Sequence, residues 1–221
     1  AARISACAWV CGKSTAEKKM LNKNSIPLET GARQAVQRLR EAGFSALWAG
    51  GCVRDLIMER PPKDYDIATN ALPEQVVCLF PGSMTVGKAF GVVRARVAGH
   101  EYEIATFRKD LAYRDGRHPD GVEFADEPTD ARRRDFTVNA LFLDPLTGVV
   151  HDHIGGQADI AKKMIRAVGN PRARFAEDYL RMMRAARFAA TLQFEIDPET
   201  FAAIAANAGH ILTISIERVQ Q

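Results

Sequence analysis

The sequence predicts an α+β protein, with a head of strands and helices over residues 25–154 and a helical neck over residues 155–221. Two observations support this division. Before Gly155-Gly156, short apolar strand patterns alternate with helical patterns, whereas after it the chain is alanine-rich and almost everything has helical spacing. The composition, 47% hydrophobic and 26% charged over 221 residues, is that of an ordinary globular protein and excludes a disordered chain or a disulfide scaffold.

The head is expected to begin with a helix over Leu28–Ala42, whose apolar side chains recur on one face. The patterns that follow alternate between strand and helix, in the order strand Phe44–Ala49, helix Gly50–Met58, strand Tyr65–Thr69, helix Pro73–Phe80, and strands Val92–Val97 and Tyr102–Phe107. Residues 108–130 are polar and contain several glycines and prolines, which predicts a long mobile loop. A helix running into a strand is expected over Asp130–Leu141. In the neck, helices are predicted over Phe175–Leu192 and Pro198–Ala208.

The ends of the chain, its charge and its cysteines mainly exclude function classes. No apolar run is long enough to cross a membrane, and a net charge of +3 is too small to identify a nucleic-acid-binding protein. The four cysteines match neither a zinc site nor a disulfide framework, so we expect a cytoplasmic protein. Residues 1–24 are expected to be a disordered or non-native extension, with a transit peptide as the alternative. A helix pattern starting near Ser215 is cut at Gln221, which predicts that the natural chain is longer.

The clearest chemical signal is the segment GGCVRDLIMERPPKDYDIAT, residues 50–69. Gly50 and Gly51, between a strand and a helix, let a phosphate approach the backbone N–H groups at the start of the helix. Arg54, one turn into that helix, can reach the same anion. On the next strand, alternation places Asp64 and Asp66 on one face, where they can share one or two divalent cations, and these hard oxygen ligands suit Mg²⁺.

A third carboxylate is expected from Glu103, in the strand sequence EYEIATF. An Asp-x-Asp pair or a Gly-Gly pair alone is a weak signal, because most such pairs are turn residues in contact with water. Their combination at this spacing, followed by a further acidic strand position, is much more specific. Glu101, on the same strand, is expected only to face water.

Six motifs in order along the chain, GGCVRD, KDYDIAT, EIATFR, RRDFTVNA, HDHIGG and EDYLRMMRAARF, resemble those of the class II tRNA nucleotidyltransferase and bacterial poly(A) polymerase family. That family belongs to the DNA polymerase β-like nucleotidyltransferase superfamily, which implies a mixed, mainly antiparallel sheet in the head. The sequence VGKAFGVVRARV lacks the arginine-rich element of bacterial poly(A) polymerases. YRDGRHPDGVEF resembles the flexible loop of the branch that adds CCA to tRNA.

The resemblance implies a two-metal mechanism. Asp64 and Asp66 would hold divalent ions between the 3′-hydroxyl of an RNA and the α-phosphate of a nucleoside triphosphate, so that the pKa of the hydroxyl falls and charge on the leaving pyrophosphate is neutralised. Glu103 matches the family's third catalytic carboxylate. Gly51 and Arg54 match its triphosphate-binding motif.

In the family, the motif RRDFTVNA makes triphosphate and ribose contacts. The resemblance therefore assigns Arg134 to a phosphate and Asp135 to the ribose 2′-hydroxyl, with Asn139 in the same nucleotide-binding motif. We expect Arg133, Arg134 and Asp135 at the start of a helix. From the residues alone, the arginines could equally be a helix start facing water.

In EDYLRMMRAARF, the family's matching Asp and Arg select CTP and then ATP without a nucleic-acid template, and these are Asp178 and Arg181 here. A carboxylate and a guanidinium together offer acceptors and donors for the Watson–Crick edge of a base. Arg184 and Arg187 match further nucleotide-binding positions. The alternative for Asp178 and Arg181 is a surface ion pair worth a few tenths of a kcal/mol. The excess of basic residues over 162–187 favours an anionic ligand along the neck.

The sequence His151-Asp152-His153 has a second interpretation, as the metal-binding doublet of a phosphohydrolase. That chemistry needs further ligands, and too few histidines remain to supply them. In the family this stretch is the hinge between head and neck, which is the interpretation we adopt.

The leading function is therefore template-independent completion of the 3′-CCA end of tRNA, with ATP and CTP as substrates and Mg²⁺ as cofactor. Within the same chemistry, the alternatives are an enzyme that adds only CC or only A, and a poly(A) polymerase. A further alternative is a fragment that binds nucleotide without turnover, because the body and tail with which the family grips tRNA are not found in these 221 residues.

Overall fold

The computed structural model describes residues 27–86, 91–111 and 121–213. They form two compact units: unit 1 extends to Thr106 and includes Phe142–His151, and unit 2 comprises Phe107–Leu141 and the chain from Asp152 onward. The division into head and neck near residue 154 stays a prediction. The extension predicted over residues 1–24 and the helix predicted from Ser215 lie outside the described residues.

The elements follow one another as short helices and strands. The α-helices are α1 (Leu28–Glu41), α2 (Gly51–Ile57), α3 (Pro73–Leu79), α4 (Glu127–Arg133), α5 (Gly156–Ala161), α6 (Pro171–Glu177), α7 (Leu180–Leu192) and α8 (Pro198–Asn207). The strands are β1 (Ala46–Ala49), β2 (Asp66–Thr69), β3 (Met84–Thr85), β4 (Val92–Val97), β5 (His100–Thr106), β6 (Arg108–Asp110), β7 (Val122–Phe124), β8 (Leu141–Asp144), β9 (Val149–Asp152), β10 (Met164–Ile165) and β11 (Glu195–Ile196). Two 3₁₀ helices cover Thr137–Asn139 and Ala208–Thr213.

A sheet of seven strands, in the order β3-β4-β5-β2-β1-β8-β9, dominates the described part of unit 1. The β2–β5 pair is parallel, whereas the pairs β1–β2, β1–β8, β3–β4 and β4–β5 are antiparallel. This confirms the expected mixed, mainly antiparallel sheet. The parallel pair matters for function because it sets β2 beside β5, the two strands on which acidic residues were predicted.

Helix α1 covers the sheet and contacts β1, β2, β4 and β5. Its buried face, which includes Ala32, Val36 and Leu39, is the predicted apolar face. A Cβ on Gly31 would lie 2.3 Å from the hydroxyl oxygen of Tyr102 on β5, so only glycine allows this close approach of helix and strand. The same hydroxyl donates to the carbonyl of Leu28 at 2.7 Å, which anchors the first turn of α1 to the sheet.

The loop predicted over residues 108–130 is wrong in part, because β6 and β7 pair within it. Arg108 lies opposite Phe124 and Asp110 opposite Val122, and α4 begins at Glu127. Asp126 caps α4, since its carboxylate accepts the N–H of Thr129 at 3.0 Å. Of the glycines and prolines that suggested a loop, Gly116 and Pro119 lie outside the described residues, Gly121 precedes β7, and Pro128 lies in the first turn of α4.

The helix predicted to start at Asp130 and to run into a strand near Leu141 has the wrong bounds, because α4 begins at Glu127 and already ends at Arg133. Phe136 forms an isolated antiparallel bridge with Ala167, and the N–H of Thr137 donates to the carbonyl of Arg166 at 2.9 Å. These contacts hold the backbone extended after Arg134 and replace the hydrogen bonds that a continuing helix would make.

The described residues 155–213 are mainly helical, as predicted, with two differences. The strands β10 and β11 form a two-residue parallel pair, in which Ile165 lies opposite Ile196. The helix predicted over Phe175–Leu192 is broken into α6 and α7, because the side chain of Asp178 accepts the N–H of Leu180 at 3.0 Å and competes with helix continuation. No helix in the described part of the chain is both long and apolar enough to cross a membrane.

Candidate active site

A cavity of about 390 Å³ in unit 1 is lined by acidic side chains from two neighbouring strands. Its lining residues are Asp64, Tyr65, Asp66, Arg94, Glu101, Tyr102 and Glu103. In the parallel β2–β5 pair Ile67 lies opposite Ile104, so Asp66 and Glu103 immediately precede paired residues on adjacent strands. The structure thus brings together the three carboxylates that the sequence analysis selected.

Asp64 lies two residues before β2 and not on the strand, which corrects the predicted start at Tyr65. The alternation of side chains nevertheless holds, since Asp64 and Asp66 are exposed and Tyr65 between them is buried. The Tyr65 ring packs against Trp48, with 4.6 Å between ring centroids. This buried aromatic contact fixes the backbone between the two aspartates and directs both carboxylates to the opposite side.

Arg94 contributes a positive charge to this carboxylate cavity. It lies opposite Glu103 in the β4–β5 register, and its Nη2 is 3.3 Å from Oε1 of Glu103. Both side chains are more than one-third exposed, so the pair contributes at most about 1 kcal/mol to stability. Glu101 is exposed, as expected, and also lines the cavity.

The predicted phosphate-binding glycines open α2. Gly50, with a φ of 75°, occupies a left-handed conformation that favours glycine, and α2 begins at Gly51. A Cβ on Gly51 would lie 3.7 Å from Nη2 of Arg54, so the guanidinium extends back over Gly51. Asp55 holds it there, accepting from Nε at 2.9 Å and from Nη2 at 2.8 Å. Gly50, Gly51 and Arg54 are therefore brought together at one helix end.

Cys52 connects the first turn of α2 to the acidic pair. Burial raises the pKa of the Cys52 thiol to about 12, and the negative charge of Asp66 adds to the effect, with a smaller contribution from Asp64. Hydrogen bonds with the backbone of Asp66 and Ala49 act in the opposite direction. In the antiparallel β1–β2 pair Ala49 lies opposite Asp66, so the glycine turn that follows β1 lies next to the acidic pair.

In unit 2, Asp135 links two of the predicted motifs. Its Oδ2 accepts from Nε of Arg184 at 2.7 Å, and its Oδ1 accepts from its neighbour Phe136 N–H at 2.8 Å and from Nδ2 of Asn139 at 3.4 Å. The structure therefore brings Asp135, Asn139 and Arg184 together. Arg133 is the last residue of α4, and Arg134 and Asp135 follow it, so these three residues do not lie at the start of a helix as predicted.

Arg134 is held by Asp130, a residue that the sequence analysis did not select. Oδ2 of Asp130 accepts from both Nε and Nη2 of Arg134, at 3.1 and 3.0 Å. Nη1 of Arg134 donates to the carbonyl of Asn139 at 3.2 Å. Burial alone would raise the pKa of Asp130, but the charges of Arg134 and Arg133 outweigh it and hold the pKa below its usual value. The spacing in the sequence is a signal for this contact, because Asp130 precedes the two arginines by one helical turn.

The predicted base-selecting residues flank the break between α6 and α7. Asp178 is half-buried and its carboxylate caps Leu180, as described above. Arg181 is buried, and its guanidinium pairs with Glu177 and donates to the carbonyl of Arg174 at 3.0 Å. Glu177, which the sequence analysis did not select, therefore orients Arg181. The i,i+4 pair that forms is Glu177–Arg181.

Arg187 is exposed and lies over the ring of Phe188, 5.6 Å from its centroid, while Arg184 lies 5.2 Å from the same ring. Phe188 packs edge-to-face on the buried Phe136, with 5.9 Å between centroids. Two predicted arginines thus share one aromatic support on α7.

Asp152 has a structural role in the HDHIGG motif. Its carboxylate accepts backbone N–H groups from each of the residues 154–157, at 2.8–3.2 Å. Burial would raise the pKa of Asp152, but these four hydrogen bonds outweigh it and lower the pKa. His153 is paired with Glu127, with 2.7 Å between Nε2 and Oε1. Asp152 therefore caps the start of α5, and the hinge interpretation of this motif stays a prediction.

Comparison with known proteins identifies families and relatives that match most of the chain. The family described as "Poly A polymerase head domain" matches residues 46–166, and that described as "Probable RNA and SrmB- binding site of polymerase A" matches residues 193–221. A protein of Limosilactobacillus fermentum named CCA-adding enzyme is 46% identical over 190 residues, which are 86% of this chain and 47% of that protein.

Solved structures give the same picture. The crystal structure of Bacillus stearothermophilus CCA-adding enzyme in complex with CTP matches with a TM-score of 0.80 at 40% identity, over 88% of this chain and 47% of that one. A tRNA nucleotidyltransferase complexed with a primer tRNA and an incoming ATP analogue matches with a TM-score of 0.69 at 26% identity, over 84% and 53%.

The chain spans about half the length of the relatives that it matches. The head-domain match alone, over residues 46–166, covers more than half of the 221 residues. The sheet topology and the acidic cavity agree with that match. The chain therefore belongs to the family of poly A polymerase head domains, together with its CCA-adding relatives.

Proposed function

We propose that the chain carries the catalytic head and the nucleotide-selecting neck of a template-independent RNA nucleotidyltransferase that completes the 3′-CCA end of tRNA. The observation that supports this most strongly is the cavity shared by Asp64, Asp66 and Glu103, next to the glycine turn of α2. Its substrates are ATP, CTP and the 3′ end of tRNA, and the enzyme acts in the cytoplasm. The division at residue 154 separates head from neck.

The carboxylate cavity fits a divalent metal ion. Its four carboxylates offer only hard oxygen ligands, and the metal we propose is Mg²⁺ held by Asp64 and Asp66, with Glu103 as the third carboxylate. When bound, the metal lowers the pKa of the RNA 3′-hydroxyl and neutralises charge on the departing pyrophosphate. The side chain of Arg94 limits the net negative charge of the cavity by pairing with Glu103.

The remaining residues bind and orient the nucleotide. Gly50, Gly51 and Arg54 bind phosphate oxygens through backbone N–H groups and a guanidinium. In unit 2, Arg134 binds a further phosphate oxygen. Asp135, held in place by Arg184 and Asn139, accepts a hydrogen bond from the ribose 2′-hydroxyl.

The base is selected by Asp178 and Arg181, with Arg184 and Arg187 as further nucleotide contacts. A carboxylate accepts from an amino group, and a guanidinium donates to a carbonyl or ring nitrogen, so the pair reads the Watson–Crick edge without a template. Arg181 is prepared for this by Glu177, which fixes its orientation in the absence of nucleotide.

The experiment that tests the function supplies the chain with Mg²⁺, a tRNA lacking its terminal CCA and one labelled triphosphate at a time. Incorporation of C and then A supports the proposal. Incorporation of C only, or of A only, on this tRNA identifies a partial enzyme, and A on any RNA identifies a poly(A) polymerase. Binding of triphosphate without incorporation identifies a fragment that binds nucleotide without turnover. The Asp66→Ala variant is the control for contaminating activity.

A further inference from the structure

Asp130, at the last turn of α4, is the most buried carboxylate among the described residues of unit 2, with 1% of its surface exposed. Its Oδ1 accepts from Nε of Arg133 at 2.8 Å and from Nη2 of the same residue at 2.7 Å. The same oxygen accepts the backbone N–H of Arg108, the first residue of β6, at 3.2 Å. Its other oxygen, Oδ2, makes the two-pronged contact with Arg134 described above. One carboxylate thus accepts hydrogen bonds from two arginine side chains and from the backbone of a strand.

The contacts leave little freedom to either guanidinium. All three nitrogens of Arg134 are engaged, two by Asp130 and one by the carbonyl of Asn139. Arg133 is held along one edge by Asp130, and its Nη1 is 3.9 Å from Asp110. The planes of both guanidiniums are therefore fixed before any ligand binds. The two guanidiniums, one residue apart, remain close together despite their equal charge.

The surroundings of Arg133 indicate what a guanidinium held in this way can do. Arg133 lines a cavity of about 660 Å³ in unit 2, together with Lys109, Arg132 and Arg174. Two carboxylates, Asp110 and Glu177, also line this cavity. Asp110 is paired with Arg108, and Glu177 is paired with Arg174 and Arg181. Positive charge held rigidly beside a cavity of this size is suited to an anionic ligand.

We propose that Asp130 is a positioning residue for nucleotide binding, which holds Arg133 and Arg134 in the orientation that a triphosphate requires. The inference rests on the proposed function, since it takes the nucleotide as the ligand of Arg134. Pre-organisation lowers the conformational entropy that each arginine loses on binding, so that affinity depends on a residue that does not touch the ligand. The competing explanation is that Asp130 only stabilises the end of α4.

The first test compares Asp130→Asn with Asp126→Ala, measuring CTP and ATP binding to the 221-residue chain by calorimetry. Asp126 caps the other end of the same helix, so its replacement by alanine removes the cap and weakens α4 without changing a contact of Arg133 or Arg134. We expect Asp130→Asn to weaken the binding of both nucleotides by about tenfold, with the ratio of their affinities unchanged, and Asp126→Ala to change each affinity by less than about twofold. Equal losses in the two variants would show that α4 stability alone is responsible and would overturn the proposal.

A double-mutant cycle on the background of the Arg133→Ala, Arg134→Ala variant separates positioning from packing. If Asp130 acts through these two arginines, adding Asp130→Asn to that variant weakens binding by less than about twofold more. If the loss of affinity in the combined variant equalled the product of the separate losses, the proposal would be overturned. Should Asp130→Asn fail to fold, Asp130→Glu keeps the charge and shifts both arginines, and wild-type affinity in that variant would overturn the proposal equally. Failure of the wild-type chain to bind either nucleotide would instead contradict the proposed function.

Discussion

Asp135 and Arg184 lie 49 positions apart in the sequence and meet at 2.7 Å, from Nε of the arginine to Oδ2 of the carboxylate. The contact joins the RRDFTVNA motif to the EDYLRMMRAARF motif within unit 2. The side chain of Arg184 is 42% exposed, whereas the side chain of Asp135 is 10% exposed. Arg184 thus fixes the orientation of the Asp135 carboxylate, which we propose accepts a hydrogen bond from the ribose 2′-hydroxyl.

The Asp135–Arg184 pair predicts how the protein distinguishes ribonucleotides from deoxyribonucleotides. Asp135→Asn should reduce the ratio of ATP to dATP affinity by about tenfold, because the lost acceptor matters only when a 2′-hydroxyl is present. Arg184→Ala should reduce the ratio less, since Asn139 still contacts Asp135. Calorimetry with both nucleotides measures the ratio, and Arg172→Ala, an exposed arginine on α6, is the control. Equal losses for ATP and dATP would contradict the assignment.

Asp178 predicts a change in base selection. Asp178→Asn keeps an oxygen that can accept the N–H of Leu180, so the start of α7 should persist, while a charge and one acceptor are lost. We expect the ratio of CTP to UTP affinity to change by about tenfold, with a smaller change in the affinity for CTP itself. Asn170→Ala removes the cap of the neighbouring helix α6 and should leave the ratio unaltered. An unchanged ratio in Asp178→Asn would return this residue to a purely structural role.

Asp152 predicts a specific dependence of stability on pH. Because its folded pKa lies below the unfolded value of about 3.9, its contribution is fully present above that pH and is lost as the pH falls through the folded pKa. Asp152→Asn should therefore lower the free energy of unfolding by about 1–3 kcal/mol at neutral pH, and by progressively less as the solution is acidified. Urea titrations at several pH values measure this difference. A difference independent of pH would show that charge is unimportant at this cap.

Gly156 predicts a steric limit at the start of α5. A Cβ on this residue would lie 2.3 Å from the carbonyl oxygen of Thr137, a backbone atom that cannot move without disturbing the 3₁₀ turn. Gly156→Ala should therefore destabilise the protein by about 1–3 kcal/mol. Gly209→Ala is the matched control, because nothing lies within 4 Å of its added Cβ. Equal midpoints of urea unfolding for the two variants would contradict the close approach.

The features that depend on local sequence could be predicted, and those that depend on distant partners could not. Alternation alone places Asp64 and Asp66 on one face, although the strand itself begins only at Asp66. The end of α4 was predicted wrongly because the bridge between Phe136 and Ala167 joins residues far apart in the chain. No pattern in one sequence indicates such a bridge.

The same distinction holds within the candidate site. Residues with recognisable chemistry, such as Arg134 and Arg181, could be selected from motifs. The carboxylates that orient them, Asp130 and Glu177, each precede their arginine by one helical turn. Ordinary surface ion pairs share this spacing, and the role of the two carboxylates depends on burial and on which arginine each one contacts. The break at Asp178 similarly results from a side-chain hydrogen bond that competes with a strong helical pattern.

The central claim, that Asp64 and Asp66 hold a divalent metal, is tested most directly by titrating the chain with Mn²⁺ and following the free ion by electron paramagnetic resonance. The Asp64→Asn, Asp66→Asn double variant should bind Mn²⁺ at least about tenfold more weakly in the presence of CTP, because two anionic oxygen ligands have been replaced by neutral ones. Glu74→Gln, on the exposed side of α3, should bind like the wild type. Wild-type Mn²⁺ affinity in the folded double variant would contradict the account.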